Sequence, residues 1–346
     1  MKNTGSKILK VLLSLMLGGG ILYWMYRDFD FGQVSHVLFH EMRWEWMLLS
    51  FPFGIMAQVL RGWRWRQTLE SAGEKARRTT LVNAVFLSYA TSLLIPRIGE
   101  LVRCGVLKRW DGVSFPKALG TVVTERAIDT LVVLVITMCT LLWQMSVFGT
   151  FFEQTGVTVD TLLHGFSPAG WLVTALCMAA ICWLGWYLLR RLSIYNKVRA
   201  TLNGIWQGVV SLKNVRNVPL FIIFTASIWL CYFLHYYLTF FCFEATSGLG
   251  LSCALVTFIV GSIAVIVPTP NGAGPWHFAV KTMLILYGVA GSDALYFVLI
   301  VHGVQTLLVI LLGLYAWLRL TLLSRNEEPR TSNIENQVKN IINNPG

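Results

Sequence analysis

Charged residues are scarce in this chain. Asp, Glu, Lys and Arg make up 13% of its 346 residues, whereas hydrophobic residues make up 55% and the mean hydropathy is +0.61. A chain with so little charge is too apolar to stay soluble, which excludes a soluble globular protein. The composition predicts an all-α polytopic membrane protein.

The common signatures of soluble catalytic sites are also missing. The sequence has no P-loop, no G-x-G-x-x-G that opens a helix, no H-E-x-x-H pair and no G-x-S-x-G elbow. We therefore do not expect ATP-driven pumping by this chain alone. A lipid-linked glycosyl- or acyltransferase would need catalytic carboxylates on the external side. The candidates there are scattered without a motif: Glu153, Asp160, Glu244 and Asp293. We expect that the chain is not an enzyme and that it needs no cofactor.

The cysteines show no metal-binding or disulfide pattern. There are seven, most of them fall inside apolar runs, and none forms a C-x-x-C pair. This distribution is typical of cysteines that act as small buried hydrophobes, so we expect neither a disulfide framework nor a metal site.

Acidic residues are fewer than basic ones, and the formal net charge is +11. The basic residues lie between apolar runs rather than in one block, a distribution that indicates membrane orientation and not a nucleic-acid partner. Arg61 and Arg64, after the second run, are predicted to be cytoplasmic, and Trp63 and Trp65 beside them are predicted to lie in the interfacial belt. Six apolar runs are long enough to span a bilayer, near residues 8–26, 44–62, 117–145, 168–189, 219–243 and 294–318.

Two further apolar stretches, 80–96 and 251–290, are interrupted by Pro, Gly and ionisable residues. If 80–96 crossed the membrane completely, the basic residues that follow it would face outside, against the positive-inside rule. We therefore expect re-entrant, broken-helix hairpins, the first from the cytoplasmic side and the second from the external side.

This topology gives two similar halves of opposite orientation, with about six full transmembrane helices and two re-entrant hairpins in an inverted-topology repeat. The first repeat is predicted over residues 1–150 and the second over 151–323. A disordered cytoplasmic tail is predicted over 324–346. Residues 194–216 fit either a cytoplasmic interfacial helix or an ordinary amphipathic connector. Both termini are expected to be cytoplasmic.

The costliest charges lie within one turn of the third span: Glu125, Arg126 and Asp129. Each costs about 2.5 to 3.5 kcal/mol near the centre of a membrane helix. Arg126 and Asp129 have the i, i+3 spacing of a pair, and Arg97 or Arg103 could supply a partner for the other carboxylate. A buried salt bridge that only docks the hairpin is one interpretation, and a substrate- or proton-linked role for Glu125 and Asp129 is the other.

The hairpin tips carry the remaining candidates. Arg97, Glu100 and Arg103 are three residues apart and could hold a phosphate between two arginines. The alternative is that the arginines lie in the cytoplasmic headgroup layer, and for Arg103 alone this is the preferred interpretation. In the second hairpin, backbone amides at the start of a new helix attract anions. The predicted substrate-binding residues there are Asn271, Gly272, Gly274 and His277.

Three further polar residues lie inside apolar runs: His235, His302 and Gln305. Each could line a cavity, but interhelical hydrogen bonds are the preferred interpretation.

Four motifs together resemble the lysylphosphatidylglycerol synthase transmembrane-region family. They are Arg64-Trp65-Arg66, Pro96 to Arg103, Glu125-Arg126-x-x-Asp129 and the Gly-rich segment from Pro268 to Gly274. The resemblance implies translocation of lipids across the bacterial cytoplasmic membrane. His277 stands where relatives often carry Glu, a departure from the family pattern.

Two functions fit these observations. The first is a flippase for a polar-headed, phosphate-bearing lipid, with Arg97, Arg103 and Arg126 at the phosphate. The second is a non-transporting scaffold that presents lipids to a separate transferase or synthase. Membrane lipids are the expected partners of both, and a lipid-modifying enzyme is the additional partner of the second.

Overall fold

The computed structural model describes residues 15–27, 29–143, 215 and 217–343, and for 141 and 323–343 it describes the backbone alone. The described part is helical and contains no strand. Its main helices are α1 (Leu15–Tyr26), α2 (Trp44–Ser71), α3 (Arg78–Ser92), α4 (Ile98–Asp111), α5 (Phe115–Trp143), α6 (Val218–Tyr237), α7 (Gly250–Ala264), α8 (Pro275–Leu286) and α9 (Gly291–Asn343).

Two of these segments are long and apolar enough to cross a membrane, Val218–Cys242 and Gly291–Leu322. Helices α2 and α5 are also long, 28 and 29 residues, but each carries several charged residues. The predicted span at 168–189 and the predicted interfacial helix at 194–216 lie outside the described residues, apart from residue 215.

Helix α2 and helix α6 pack side by side in opposite directions. Arg64, near the end of α2, contacts Thr225 near the start of α6, and His235 near the end of α6 contacts the carbonyl of Ser50 near the start of α2. Asn217 caps α6 because its side chain accepts a hydrogen bond from the Leu220 amide.

Helices α3 and α4 form a helical hairpin, which we call the first hairpin, around a non-helical first break at residues 93–97. At its base, the Arg77 guanidinium donates to the Asp111 carboxylate over 2.6 Å. Near its tip, a Cβ on Gly99 would collide with the carbonyl oxygen of Ser88, so only glycine permits this approach. The chain thus enters and leaves the first hairpin at the same end.

Helices α7 and α8 form the second hairpin, around a second break at residues 265–274. Cys253 and Ala254 at the start of α7 share one hydrophobic cluster with Val280 and Leu284 near the end of α8. The chain therefore also enters and leaves the second hairpin at one end, where apolar packing joins α7 to α8.

The two hairpins approach from opposite ends of the molecule. Each hairpin base belongs to its own hydrophobic cluster. The cluster at the base of the second hairpin also contains Met47, at the start of α2. The cluster at the base of the first hairpin also contains Leu69, at the end of α2. Helix α9 also runs between these clusters, from Phe297 to Leu320. The hairpin tips meet between them, where the Arg97 guanidinium donates to the Ile266 carbonyl over 3.3 Å.

Helix α9 continues through Asn343, across the segment for which the composition predicts a disordered tail. Here the structure differs from the expectation, because extending an existing helix avoids the cost of nucleation.

Candidate functional site

Asp129 on α5 bonds to two arginines of α2. Its Oδ2 accepts from Arg61 Nη1 over 2.7 Å, and its Oδ1 accepts from Arg64 Nη2 over 2.8 Å. Arg126, the partner that the spacing predicts, is 4.0 Å from Asp129 and adds a weaker contact. Two charge-assisted bonds from one neighbouring helix therefore fix α5 against α2.

Glu125 joins α5 to the first hairpin. Its Oε2 accepts from Arg103 Nη1 over 2.9 Å, and its Oε1 is 3.7 Å from Arg64 Nε. The Arg103 guanidinium lies 4.6 Å from the ring centre of Trp65, a cation–π contact. Arg103 is 1% exposed, so it lies in the interior and not in a headgroup layer.

We call Arg61, Arg64, Arg103, Glu125 and Asp129 the buried charge cluster; each is less than a tenth exposed. It holds three cationic and two anionic side chains, which leaves one positive charge in excess. Nε and Nη2 of Arg103 and Oε1 of Glu125 are buried without a hydrogen-bond partner. An excess of buried positive charge favours anions near the cluster.

Glu100 and Arg126 pair at the edge of this cluster. Arg126 Nε lies 3.0 Å from Glu100 Oε1, and the Arg126 side chain is 44% exposed. Of the three neighbouring charged residues Glu125, Arg126 and Asp129, Arg126 is thus the accessible one.

Both breaks hold a non-glycine residue in the left-handed backbone region: Arg97 has φ 64° and Asn271 has φ 52°. Within the described chain these are the two non-glycine residues with positive φ. Such a conformation is costly and persists where the surroundings impose it, often at functional sites.

The two breaks line one open cleft of about 460 Å³ together with α9. The residues that line the cleft include Leu93 from the first break, Asn271 from the second, and His302 and Thr306 from α9. Asn271 Nδ2 donates to Thr306 Oγ1 over 2.8 Å, and His302 Nε2 lies 3.1 Å from the Asn271 carbonyl. His302 and Asn271 therefore form the predicted interhelical contact and also line the cleft.

The other predicted residues of the second break are buried behind the cleft. A Cβ on Gly274 would lie 2.8 Å from the Gly18 carbonyl, so α1 covers this turn. His277 Nδ1 is 3.4 Å from the Gly274 amide, and its ring packs 4.5 Å from that of His302. Gly272 is buried as well. Gly272, Gly274 and His277 are thus buried, whereas Arg97 and Arg126 are exposed.

Sequence reasoning missed Arg61, Arg64 and Trp65 as members of the site. Positive-inside reasoning assigned the arginines to a cytoplasmic surface, but they are buried on α2. Trp65 is fully buried and donates to Thr121, so its assignment to an interfacial belt was wrong. The i, i+3 spacing of Arg61 and Arg64, matched to the carboxylates of α5, was the available signal.

The remaining polar residues fit simpler roles. His235 Nδ1 donates to the Ser50 carbonyl of α2, an interhelical hydrogen bond as predicted, whereas Gln305 Nε2 is buried without a partner. Among residues 15–143 and 217–322, apart from position 28, no group of three His, Cys, Asp or Glu side chains could hold a metal ion.

A helical membrane protein in which broken helices and buried charges meet is the class that this fold and site define. The chain belongs to the lysylphosphatidylglycerol synthase TM region family, whose sequence profile matches residues 8–313.

Among characterised proteins, it is similar to the glycosyltransferase AglD of Haloferax volcanii, with 30% identity over 80 residues. This match spans 23% of the chain and 13% of that relative. No solved structure matches the chain.

Proposed function

We propose that the chain moves a polar-headed, phosphate-bearing lipid between the leaflets of the bacterial cytoplasmic membrane, with both termini in the cytoplasm. The headgroup would cross where the two breaks meet, while the acyl chains stay in lipid. In this proposal the two helical hairpins are re-entrant and belong to an inverted-topology repeat.

The observation that carries this proposal is the cleft that the two breaks share, in a molecule whose first hairpin also joins an arginine-rich cluster through Arg103. Helices broken inside a membrane are tolerated where they line a polar cavity or are buried in protein. A passage that begins at one break and continues at the other would let a headgroup avoid the hydrocarbon.

The geometry divides the predicted residues into two roles. Arg97 and Arg126 are exposed and would contact the phosphate directly, and Glu100 would release Arg126 when the phosphate binds. Arg103, Glu125 and Asp129 are buried in ion pairs, so they would act as positioning residues that hold α2, α4 and α5. Their arginine excess would favour an anion nearby.

Leaflet exchange of acyl-labelled lipids in proteoliposomes tests the proposal. We expect the wild-type protein to move phospholipids and Arg126→Gln to slow that movement by about tenfold, because a charge-assisted hydrogen bond to phosphate is lost. Arg97→Asn should act similarly, since Asn tolerates the left-handed backbone but carries no charge.

Arg66→Gln is the matched control, because Arg66 also pairs with a glutamate on an exposed surface but lies near the end of α2 that packs with the base of the first hairpin. It should exchange lipids at the wild-type rate. Unchanged exchange in folded Arg126→Gln and Arg97→Asn proteins would contradict the assigned roles, and no exchange by the wild-type protein would contradict the flippase.

A second candidate function is a scaffold that presents lipids to a separate transferase. The similarity of an 80-residue stretch to part of a glycosyltransferase favours it. It predicts that purified protein moves no lipid and that a lipid-modifying enzyme co-purifies with it. In both proposals the chain itself is not an enzyme.

A further inference from the structure

The cleft between the breaks presents uncharged polar groups. Among the described residues that line it, the polar side chains are Asn271, His302 and Thr306, and the remainder are apolar or glycine. The volume of about 460 Å³ falls within the range of small-molecule sites. The cationic groups of Arg97 and Arg126 lie outside this lining, so the cleft and the arginines offer different chemistry to a lipid headgroup.

The hydrogen bonds within the cleft determine what it can still accept. His302 Nε2 lies 3.1 Å from the Asn271 carbonyl oxygen and 3.4 Å from Asn271 Nδ2. We assign the proton to Nε2 because the nearer carbonyl oxygen can only accept, and Nδ1 of the neutral ring is then an acceptor. Asn271 uses one amide hydrogen for Thr306, which leaves its second amide hydrogen and its Oδ1. Thr306 accepts that bond and retains a hydroxyl hydrogen to donate.

The cleft therefore combines two acceptors with two donors at close range. A phosphate oxygen only accepts hydrogen bonds and an ammonium group only donates them, so each would leave part of this set unpaired. A hydroxyl group both donates and accepts, which matches the set. Unpaired polar groups are costly in a largely apolar site, and such sites discriminate strongly by hydrogen bonding.

The polar side chains are also held in place before any ligand binds. The His302 ring packs against Trp276 at 5.2 Å and against His277 at 4.5 Å, and the left-handed backbone of Asn271 directs its amide toward α9. Fixed geometry of this kind lowers the ordering cost of binding.

We propose that Asn271, His302 and Thr306 form a specificity site for an uncharged, hydroxyl-bearing headgroup, either a polyol or a sugar. This inference rests on the proposed function, since the hydroxyl-bearing part would occupy the cleft while any phosphate contacts Arg97 or Arg126.

Leaflet exchange with four acyl-labelled lipids tests the selectivity: phosphatidylglycerol, a monoglycosyl diacylglycerol, phosphatidylethanolamine and phosphatidic acid. We expect at least one hydroxyl-headed lipid to exchange about tenfold faster than both lipids without a hydroxyl group. Fast exchange of phosphatidylglycerol alone identifies a phosphate-linked polyol, and fast exchange of the glycolipid identifies a sugar. Similar rates for all four lipids would overturn the inference and leave the flippase intact.

Thr306→Val and Asn271→Asp should narrow the ratio between hydroxyl-headed lipids and phosphatidic acid to about threefold or less. Thr282→Val is the matched control, because Thr282 is a partly buried threonine of α8 that donates within its own helix and is not part of the cleft lining. It should preserve the wild-type ratio. An unchanged ratio in folded Thr306→Val and Asn271→Asp proteins would contradict the assignment.

Binding separates this inference from the proposed function. Dihexanoyl forms of the same four lipids are added to purified wild-type protein, and the thermal unfolding midpoint is recorded. Stabilisation by the hydroxyl-headed forms alone, lost in Thr306→Val, would support the specificity site even if no lipid exchanged between leaflets. Equal stabilisation by all four, or by none, would refute it.

Discussion

At the scale of single residues, Asp129 is the centre of the site. One carboxylate accepts from two arginines of α2, and both arginines are buried. The sequence predicted that the charges on this span would be costly and would need partners, and it offered Arg103 as one of them. In the structure Arg103 pairs with Glu125. Periodicity within α5 could not identify Arg61 and Arg64, because their positions depend on how α2 packs.

Replacing Asp129 by Asn should destabilise the protein by about 3–5 kcal/mol, because it leaves Arg61 and Arg64 buried with less compensating charge. Thermal unfolding of purified protein in detergent measures the effect. Glu70→Gln is the control: Glu70 pairs with Arg66 on an exposed surface, where such pairs contribute at most about 1 kcal/mol. Equal, small effects of both substitutions would contradict a structural role for the buried charge cluster.

Glu74, in the loop after α2, provides a prediction about pH. The Lys117 ammonium, 2.8 Å from the Glu74 carboxylate, lowers the pKa of Glu74 below its ordinary value. A depressed carboxyl pKa stabilises the folded state above the ordinary pKa, and this contribution disappears as pH falls through the lowered pKa. Glu74→Gln should therefore unfold at a lower temperature than wild type at pH 7.

The difference between Glu74→Gln and wild type should vanish once the pH lies below the lowered pKa of Glu74. Lys117→Gln should show the same loss at pH 7, because it removes the same ion pair. A difference that stays constant across this pH range would mean that Glu74 acts through packing and not through its charge.

At the scale of helices, the breaks were the most predictable feature. Pro96 and Gly99 indicate the first break, and the Pro- and Gly-rich segment from Pro268 to Gly274 indicates the second. The helices of the structure are interrupted at both breaks. The contact between Arg97 and Ile266 was not predictable residue by residue, since 169 positions separate them. Tertiary packing determines that contact, and a local sequence pattern does not indicate it.

Gly99→Ala should destabilise the first hairpin by about 1–3 kcal/mol, the usual cost of overpacking, because the added Cβ would collide with the Ser88 carbonyl and the Ser92 hydroxyl. Thermal unfolding of the purified protein measures this cost. Gly105→Ala, on the same helix, is the matched control, because its Cβ would meet no atom within 4 Å. That variant should gain about 0.5–1 kcal/mol from helix propensity. Equal stability of the two variants would show that the close approach of α3 and α4 is not required.

At the scale of the whole molecule, the two hairpins close at opposite ends of α2 and meet at their tips. Charge distribution along the sequence predicted hairpins of opposite orientation, and the described residues place the hairpin bases in two separate hydrophobic clusters. Which end of the molecule faces the cytoplasm stays a prediction, since the arrangement of the helices does not indicate the side of the membrane.

Labelling of single cysteines can determine the sidedness. Lys75 is exposed at the base of the first hairpin, and Ser292 is exposed beside the base of the second. In a background without the seven native cysteines, Ser292→Cys should react with a membrane-impermeant maleimide in intact cells, whereas Lys75→Cys should react only after permeabilisation. Because α9 runs from one hairpin base to the other, labelling of both positions from the same side would require that neither α2 nor α9 spans the bilayer. That result would refute the inverted topology on which the proposed lipid pathway depends.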